Sequence, residues 1–209
     1  MRMSEANTSA AAEEIAALSG QIFELTNRLH ELQKAHSAGP VPNYTFETQN
    51  GASTLLDLFG DQDTLMLIHN MGQGCRWCTV WGDGFNGFLP HLESAMSVVL
   101  VSKDAPAIQR RFANSRGWRF RLASHGGGDY IQEQSAQAGV DNMPGVVVYE
   151  RDGDTITRKN SAVFGPGDLY CSLWHLLALA GLGEPAFTPQ FNYWRRPEKL
   201  DDGGANVLD

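Results

Sequence analysis

Two cysteines three positions apart, in Cys75-Arg76-Trp77-Cys78, are the residues of this 209-residue chain best placed to do chemistry. On a helix that spacing puts both sulfurs on one face, within reach of a disulfide, and it also suits a zinc site. The pair follows an apolar run by a short Gly-rich loop and opens a segment with helical periodicity. The N-terminus of a helix offers unpaired N–H groups and the positive end of its dipole, and both stabilise a thiolate. Arg76 adds a cation. Cys75 is therefore expected to have a lowered pKa and to attack, and Cys78, one turn further in, to resolve.

Other candidates are weaker. A zinc site from His69, Cys75, Cys78 and His91 is disfavoured, because a continuous helix would put His91 about 24 Å from Cys75. The chain is read without a metal. Cys171, beside Leu169 and Leu173, reads as a small core residue. Arg110, Arg111, Arg116, Arg119 and Arg121 are dense for an acidic chain. They read as a solvated face interleaved with core aromatics rather than an anion-binding patch. Gly126-Gly127-Gly128 matches neither phosphate-loop nor dinucleotide patterns and reads as a flexible loop.

The elements that would position the cysteines follow from periodicity. Ile15, Leu18, Ile22, Leu25, Leu29 and Leu32 recur at spacings of three, four, three, four and three, a seam of the coiled-coil kind. One long helix is expected, ended by Gly39-Pro40. It either lies back on its own domain or forms a dimerisation arm. Tyr44–Glu47 alternates as a strand and Gln49-Asn50-Gly51 turns. Ser53–Gly60 reads as a brief helix capped by serine. Thr64–His69 and Val98–Val101 are continuous apolar runs, as in strands buried on both faces. Helical segments are expected from the cysteines to Leu89, over Asp104–Arg116, after the glycine run and over Asp168–Gly181. A strand is expected over Trp118–Ser124, and a hairpin joins Val146–Glu150 to Thr155–Arg158 across Asp152-Gly153-Asp154. The order predicts an α/β fold with a mixed sheet and helices on both faces.

Composition narrows the class. With 42% hydrophobic and 19% charged residues the chain is globular and needs neither disulfides nor metal to fold. A net charge of -8 argues against nucleic acid or an anionic membrane as the main partner. Three cysteines are too few for a secreted disulfide scaffold. The polar start of the chain lacks the apolar core of a signal peptide, and no apolar stretch is long enough to span a membrane. A cytoplasmic setting is expected, where a CxxC pair is more apt for redox or metal chemistry than for structure.

Several pieces together resemble an uncharacterised bacterial family, the domain of unknown function eight-nine-nine, placed among thioredoxin-like proteins near the alkyl hydroperoxide reductases. They are Leu55-Leu56-Asp57-Leu58-Phe59, His69-Asn70-Met71, Gly74-Cys75-Arg76-Trp77-Cys78, Leu89-Pro90-His91-Leu92, Val101-Ser102, Arg111, Gly117-Trp118-Arg119-Phe120 and Ser124, and the likeness runs from about Glu13 to Tyr193. It implies a thioredoxin-like fold with the two cysteines at the redox position, and the domain is expected over residues 41–183, between the helical arm (1–40) and a Pro-, Gly- and charge-rich extended tail (184–209). Met143-Pro144 precedes the Val146 strand, where thioredoxin-like folds carry a cis-proline facing the cysteines. Trp77, Met143 and Pro144 are thus expected to shape a substrate-docking surface. The loop between His69 and Cys75 is shorter than is usual in the family. Peroxiredoxins hold peroxide with a Thr three residues before the reactive cysteine, and Gly72 stands there. The expected activity is thiol–disulfide exchange on a protein or small-molecule disulfide, without a cofactor, by a homodimer paired through the N-terminal helix. Alternatives are a non-catalytic dimeric binding domain on the same fold and a peroxiredoxin-like peroxidase.

Overall fold

The computed structural model describes residues 5–182 and 187–191, which fall into two compact units divided between Ser37 and Ala38. The first is helix α1, Glu5–Ala35. Its seam residues Ile15, Leu18, Ile22, Leu25, Leu29 and Leu32 are 37–65% exposed. The helix stops short of the expected Gly39-Pro40, because those residues begin a strand.

The second unit is built on one sheet. Its elements are β1 (Gly39–Val41), β2 (Thr45–Thr48), β3 (Gly51–Thr54), α2 (Leu55–Leu58), β4 (Thr64–His69), α3 (Arg76–Glu93), β5 (Ser97–Ser102), α4 (Pro106–Ser115), β6 (Arg121–Ser124), α5 (Asp129–Gln134), β7 (Gly145–Asp152), β8 (Thr155–Val163) and α6 (Ser172–Leu179). The strand order is β1-β8-β7-β4-β5-β6-β2-β3. The central strands β4, β5 and β6 are parallel, and the flanking pairs are antiparallel. The strands of a sheet point successive side chains to opposite faces, and here the two faces hold two cores. Leu65, Leu67, Val99 and Val101 join α2 and α5 through Leu55, Leu58, Tyr130 and Ile131. Met66, Ile68, Val98 and Leu100 join α3, α4 and α6 through Trp81, Leu89, Ala113 and Trp174. Helices therefore cover both faces, as the alternating pattern predicts.

Four expectations are corrected. Ser53 belongs to β3, not to a helix: the backbone turns at Gly51 (φ +106) and β3 pairs back on β2, Phe46 opposite Ser53. The cap of α2 is Thr54, whose hydroxyl accepts from the Asp57 amide while the Asp57 carboxylate accepts from the Thr54 amide. The Thr54 amide first, and then the Thr54 side chain, hold the Asp57 carboxyl below its usual range. The strand expected from Trp118 begins only at Arg121, because Trp118 Nε1 donates to Asp83 and the Arg119 amide to Asn86, both on α3. The Trp118 indole lies so close that a Cβ on Gly82 would meet it at 2.5 Å. The last helix starts at Ser172 rather than Asp168, since the Asp168 carboxylate is taken up by the Gly165 and Tyr170 amides and Trp81 Nε1. Leu169 and Leu176 are exposed, and Trp174 is the buried anchor of this helix. The tail expected over 184–209 lies, but for residues 187–191, outside the described residues. Among the described residues no helix is long and apolar enough to cross a membrane.

Candidate functional site

Strand β4 ends at His69, and five residues carry the chain to Cys75. That short loop is clamped from several sides. The Asn70 amide donates to Val101 O on β5, and the Asn70 side chain accepts from the Gly72 amide at 2.8 Å. The Asp104 carboxylate accepts from the Gln73 amide at 2.6 Å. Asp104 is itself held, its carbonyl by the buried Gln109 amide at 2.7 Å. At Gly72 φ is +112, and a Cβ there would come within 2.8 Å of the Asp104 carboxylate. The position that carries threonine in peroxiredoxins has no room here for a side chain.

The clamp delivers Cys75 as the N-cap of α3. Its sulfur accepts from the Cys78 amide at 3.1 Å, and its carbonyl accepts from the Thr79 amide and hydroxyl. Cys75 is joined to Cys78 by a disulfide with Cα atoms 5.4 Å apart. Cys75 is partly exposed and Cys78 is buried. The first turn of α3 carries no acidic side chain, so nothing there opposes a negative sulfur once the bond is reduced.

Trp77, Met143 and Pro144 all lie partly exposed. Trp77 stacks on Trp174 with ring centroids 5.8 Å apart, and Trp81 contacts both Trp174 and Phe164. The Phe164 amide donates to Pro144 O at 3.0 Å. Pro144 is thus tied to the cysteine helix through Phe164 and Trp81. In the ladder Gly145 sits opposite His69, which puts Pro144 at the end of the sheet where the cysteine loop departs. Cys171 is free and buried, and desolvation raises its thiol pKa.

His69 does not turn toward the cysteines. Alternation along β4 sends it to the other face, where its Nε2 lies 2.7 Å from the Tyr130 hydroxyl and its Nδ1 is buried without a partner. Tyr130, Tyr149, Gln134, Tyr44 and Glu133 continue a chain of polar contacts on that face. Burial, then the neighbouring charges of His125 and Arg158, lowers the His69 pKa to about 3. Burial, then Lys103, lowers that of His125 to about 4. Burial raises Tyr130 and Tyr149 well above the ordinary tyrosine range. Among the described residues no group of three or more His, Cys, Asp or Glu is placed to hold a metal ion.

The family described as "Bacterial protein of unknown function (DUF899)" matches residues 16–200. The chain belongs to that family. No curated protein matches this DUF899 chain. Among solved structures it resembles the peroxidoxin BcpB from Mycobacterium tuberculosis, at 21% identity and a TM-score of 0.51, over 70% of this chain and 96% of that one. A putative protein disulfide isomerase from Bacteroides thetaiotaomicron aligns at 19% identity and a TM-score of 0.47, over 68% and 92%. Peroxiredoxin Q from Xanthomonas campestris, as a cysteine-to-serine mutant, aligns at 16% and 0.46, over 66% and 91%. The BcpB likeness, with the sheet order above, makes the fold of this DUF899 protein thioredoxin-like.

The part that Asp104, Asn70 and Gln109 play in holding the loop escaped the sequence reading, although Asn70 stands in the His69-Asn70-Met71 run. The only local trace was an acid placed just after a buried strand.

Proposed function

We propose that this protein is a thiol–disulfide oxidoreductase of the cytosol, working through Cys75 and Cys78. The observation that carries this reading is the asymmetry of the pair: a partly exposed Cys75 at a helix N-cap, with the Cys78 amide on its sulfur, and a buried Cys78. In the reduced protein the Cys75 thiolate attacks a substrate disulfide, forming a mixed disulfide and releasing one substrate thiolate. The Cys78 thiolate then attacks the Cys75 sulfur and expels the second. The substrate gains two electrons, the pair loses two, and a dithiol reductant restores it. Trp77, Met143 and Pro144 form the surface on which the substrate rests.

The test is the pH dependence of Cys75 alkylation in the reduced protein. Cys75 is expected to react with a midpoint well below the ordinary ~8.5, with Cys171 protected until the protein unfolds. A Cys75 that titrates near ~8.5 with no insulin-disulfide reduction favours the non-catalytic binding domain. Gly72 weighs against the peroxidase. It gains the upper hand only if hydrogen peroxide oxidises Cys75 far faster than an ordinary thiol.

The exposed seam of α1 supports the second element of the proposal, a homodimer paired through this helix. Sedimentation of the full chain should give the mass of two 22.9 kDa chains, and Leu25→Glu should halve it. A full chain that sediments as a monomer at micromolar concentration removes the dimer.

A further inference from the structure

The five arginines that read together as a solvated face part company in the fold. Arg116 donates to both carboxylate oxygens of Asp83 and is neutralised. Arg110 on α4 and Arg121 at the start of β6 line one cleft of roughly 320 Å³ with the tip of the β2–β3 hairpin. Their polar contacts are with neutral groups: Arg110 Nε donates to Gln49 Oε1 at 3.2 Å, and Arg121 Nη1 to Leu58 O at 3.0 Å. Among the described residues neither forms a salt bridge. In a chain with twenty-four acidic against sixteen basic side chains, two such guanidiniums on one cleft mark a local excess of positive charge.

The rest of the lining describes the missing partner. Thr48, Asn50 and Ser53 bring hydroxyl and amide groups to the rim. Leu58 and Leu122, which keep a few per cent of their surface exposed, supply a small apolar floor, and Val99 on the same lining is fully buried. Each guanidinium is steadied by one hydrogen bond, which leaves most of its donors free and reduces the ordering cost of binding. Two forked donors bind the oxygens of a phosphate with charge-assisted bonds and match its two negative charges. A monocarboxylate would leave one guanidinium uncompensated, and the net charge of -8 repels extended polyanions. The volume lies at the lower end of the range for small-molecule sites, and the apolar floor calls for carbon beyond the phosphate.

We propose that this cleft binds a small organic phosphate, its phosphate between Arg110 and Arg121 and its carbon skeleton against Leu58 and Leu122. Arg121 opens β6, whereas the cysteine loop leaves the far end of the parallel strand β4. The cleft shares no lining residue with the cysteine loop, and its assignment does not rest on the redox reading.

Isothermal titration of the full chain with glycerol 3-phosphate, inorganic phosphate and succinate at low ionic strength tests it. Glycerol 3-phosphate should saturate one site, more tightly than inorganic phosphate or succinate. Arg110→Gln and Arg121→Gln should each weaken it by about tenfold or more, and Arg119→Gln should not. Arg121 also holds Leu58 O, so melting curves accompany each variant. If Arg121→Gln unfolds, Arg110→Gln decides alone, because its contact is with the exposed Gln49. Arg110→Lys, which keeps the charge without the fork, should fall between. The proposal is overturned by no saturable binding up to about 10 mM, beyond which an affinity is too weak to mark a site. It is equally overturned by succinate binding as tightly as glycerol 3-phosphate, or by unchanged affinity in a folded Arg110→Gln protein.

Discussion

Replacing Cys78 with serine should leave the reduced protein locked to a disulfide substrate. With insulin as the probe, roughly one mixed disulfide per chain should accumulate through Cys75 and be released by dithiothreitol, because the resolving sulfur is gone while the attacking one is intact. Cys75→Ser should trap nothing and should lower insulin reduction by about 100-fold or more, since a hydroxyl cannot replace a thiolate in exchange. The buried position of Cys78 sets the direction: a substrate can reach Cys75, and only an internal attack can reach the bond that results. Non-reducing electrophoresis with mass spectrometry reads the outcome. If Cys75→Ser traps substrate and Cys78→Ser does not, the assigned roles are reversed. If Cys75→Ser reduces insulin at the full rate, the redox proposal fails.

The second large effect is acid destabilisation that begins near neutrality. His69 and His125 sit in the folded protein with pKa values of about 3 and about 4. In the unfolded chain both return to about 6.5. Between these limits the unfolded state binds more protons, so stability rises with pH. It is complete above about 6.5 and is lost progressively as the pH falls toward the folded-state values. By pH 5 the two histidines together should cost about 2–4 kcal/mol, a fall in Tm of roughly 5–15 °C from its value at pH 7.5 for a chain of this size. The window from pH 7.5 to 5 stays above the ordinary carboxylate pKa values of about 4. His69→Gln, which keeps a partner for the Tyr130 hydroxyl, should remove a large part of the slope. A Tm that is level between pH 7.5 and 5, or a His69→Gln protein with the same slope, would show that the buried imidazoles are not its source.

How far this architecture could be read beforehand depended on whether the signal was local. Thr64–His69 and Val98–Val101 announce themselves as unbroken apolar runs because both faces of the sheet are covered. The hairpin across Asp152-Gly153-Asp154 carries its own turn chemistry. The place of Cys75 was legible for the same reason, as a cysteine between a strand and the start of a helix. The clamp on its loop was not, because Asp104 meets Gln73 across 31 positions of sequence. His69 and Tyr130 meet across 61. No periodicity encodes such pairings, which come from the parallel order of β4, β5 and β6. At Ser53-Thr54 two local signals competed. A hydroxyl residue there can cap a helix or extend a hairpin, and the turn at Gly51 gave Ser53 to the strand and left Thr54 to cap. The arginine cluster failed differently: charge density was visible, but which arginines find an acid and which share a cleft depends on where α3, α4 and the β2–β3 hairpin come together.

The three residues of β1 also have a use beyond their small contribution to the sheet. They cover the outer edge of β8 over Arg158, Thr157 and Ile156, with Pro40 at their centre opposite Thr157. An open strand edge recruits other chains, and a proline within a short edge strand discourages further pairing. The stretch that follows the first unit therefore works as an aggregation guard. A truncation meant to remove the helical arm has to stop before Gly39. Cut a few residues later, it would uncover β8 and turn a question about dimers into one about insoluble protein.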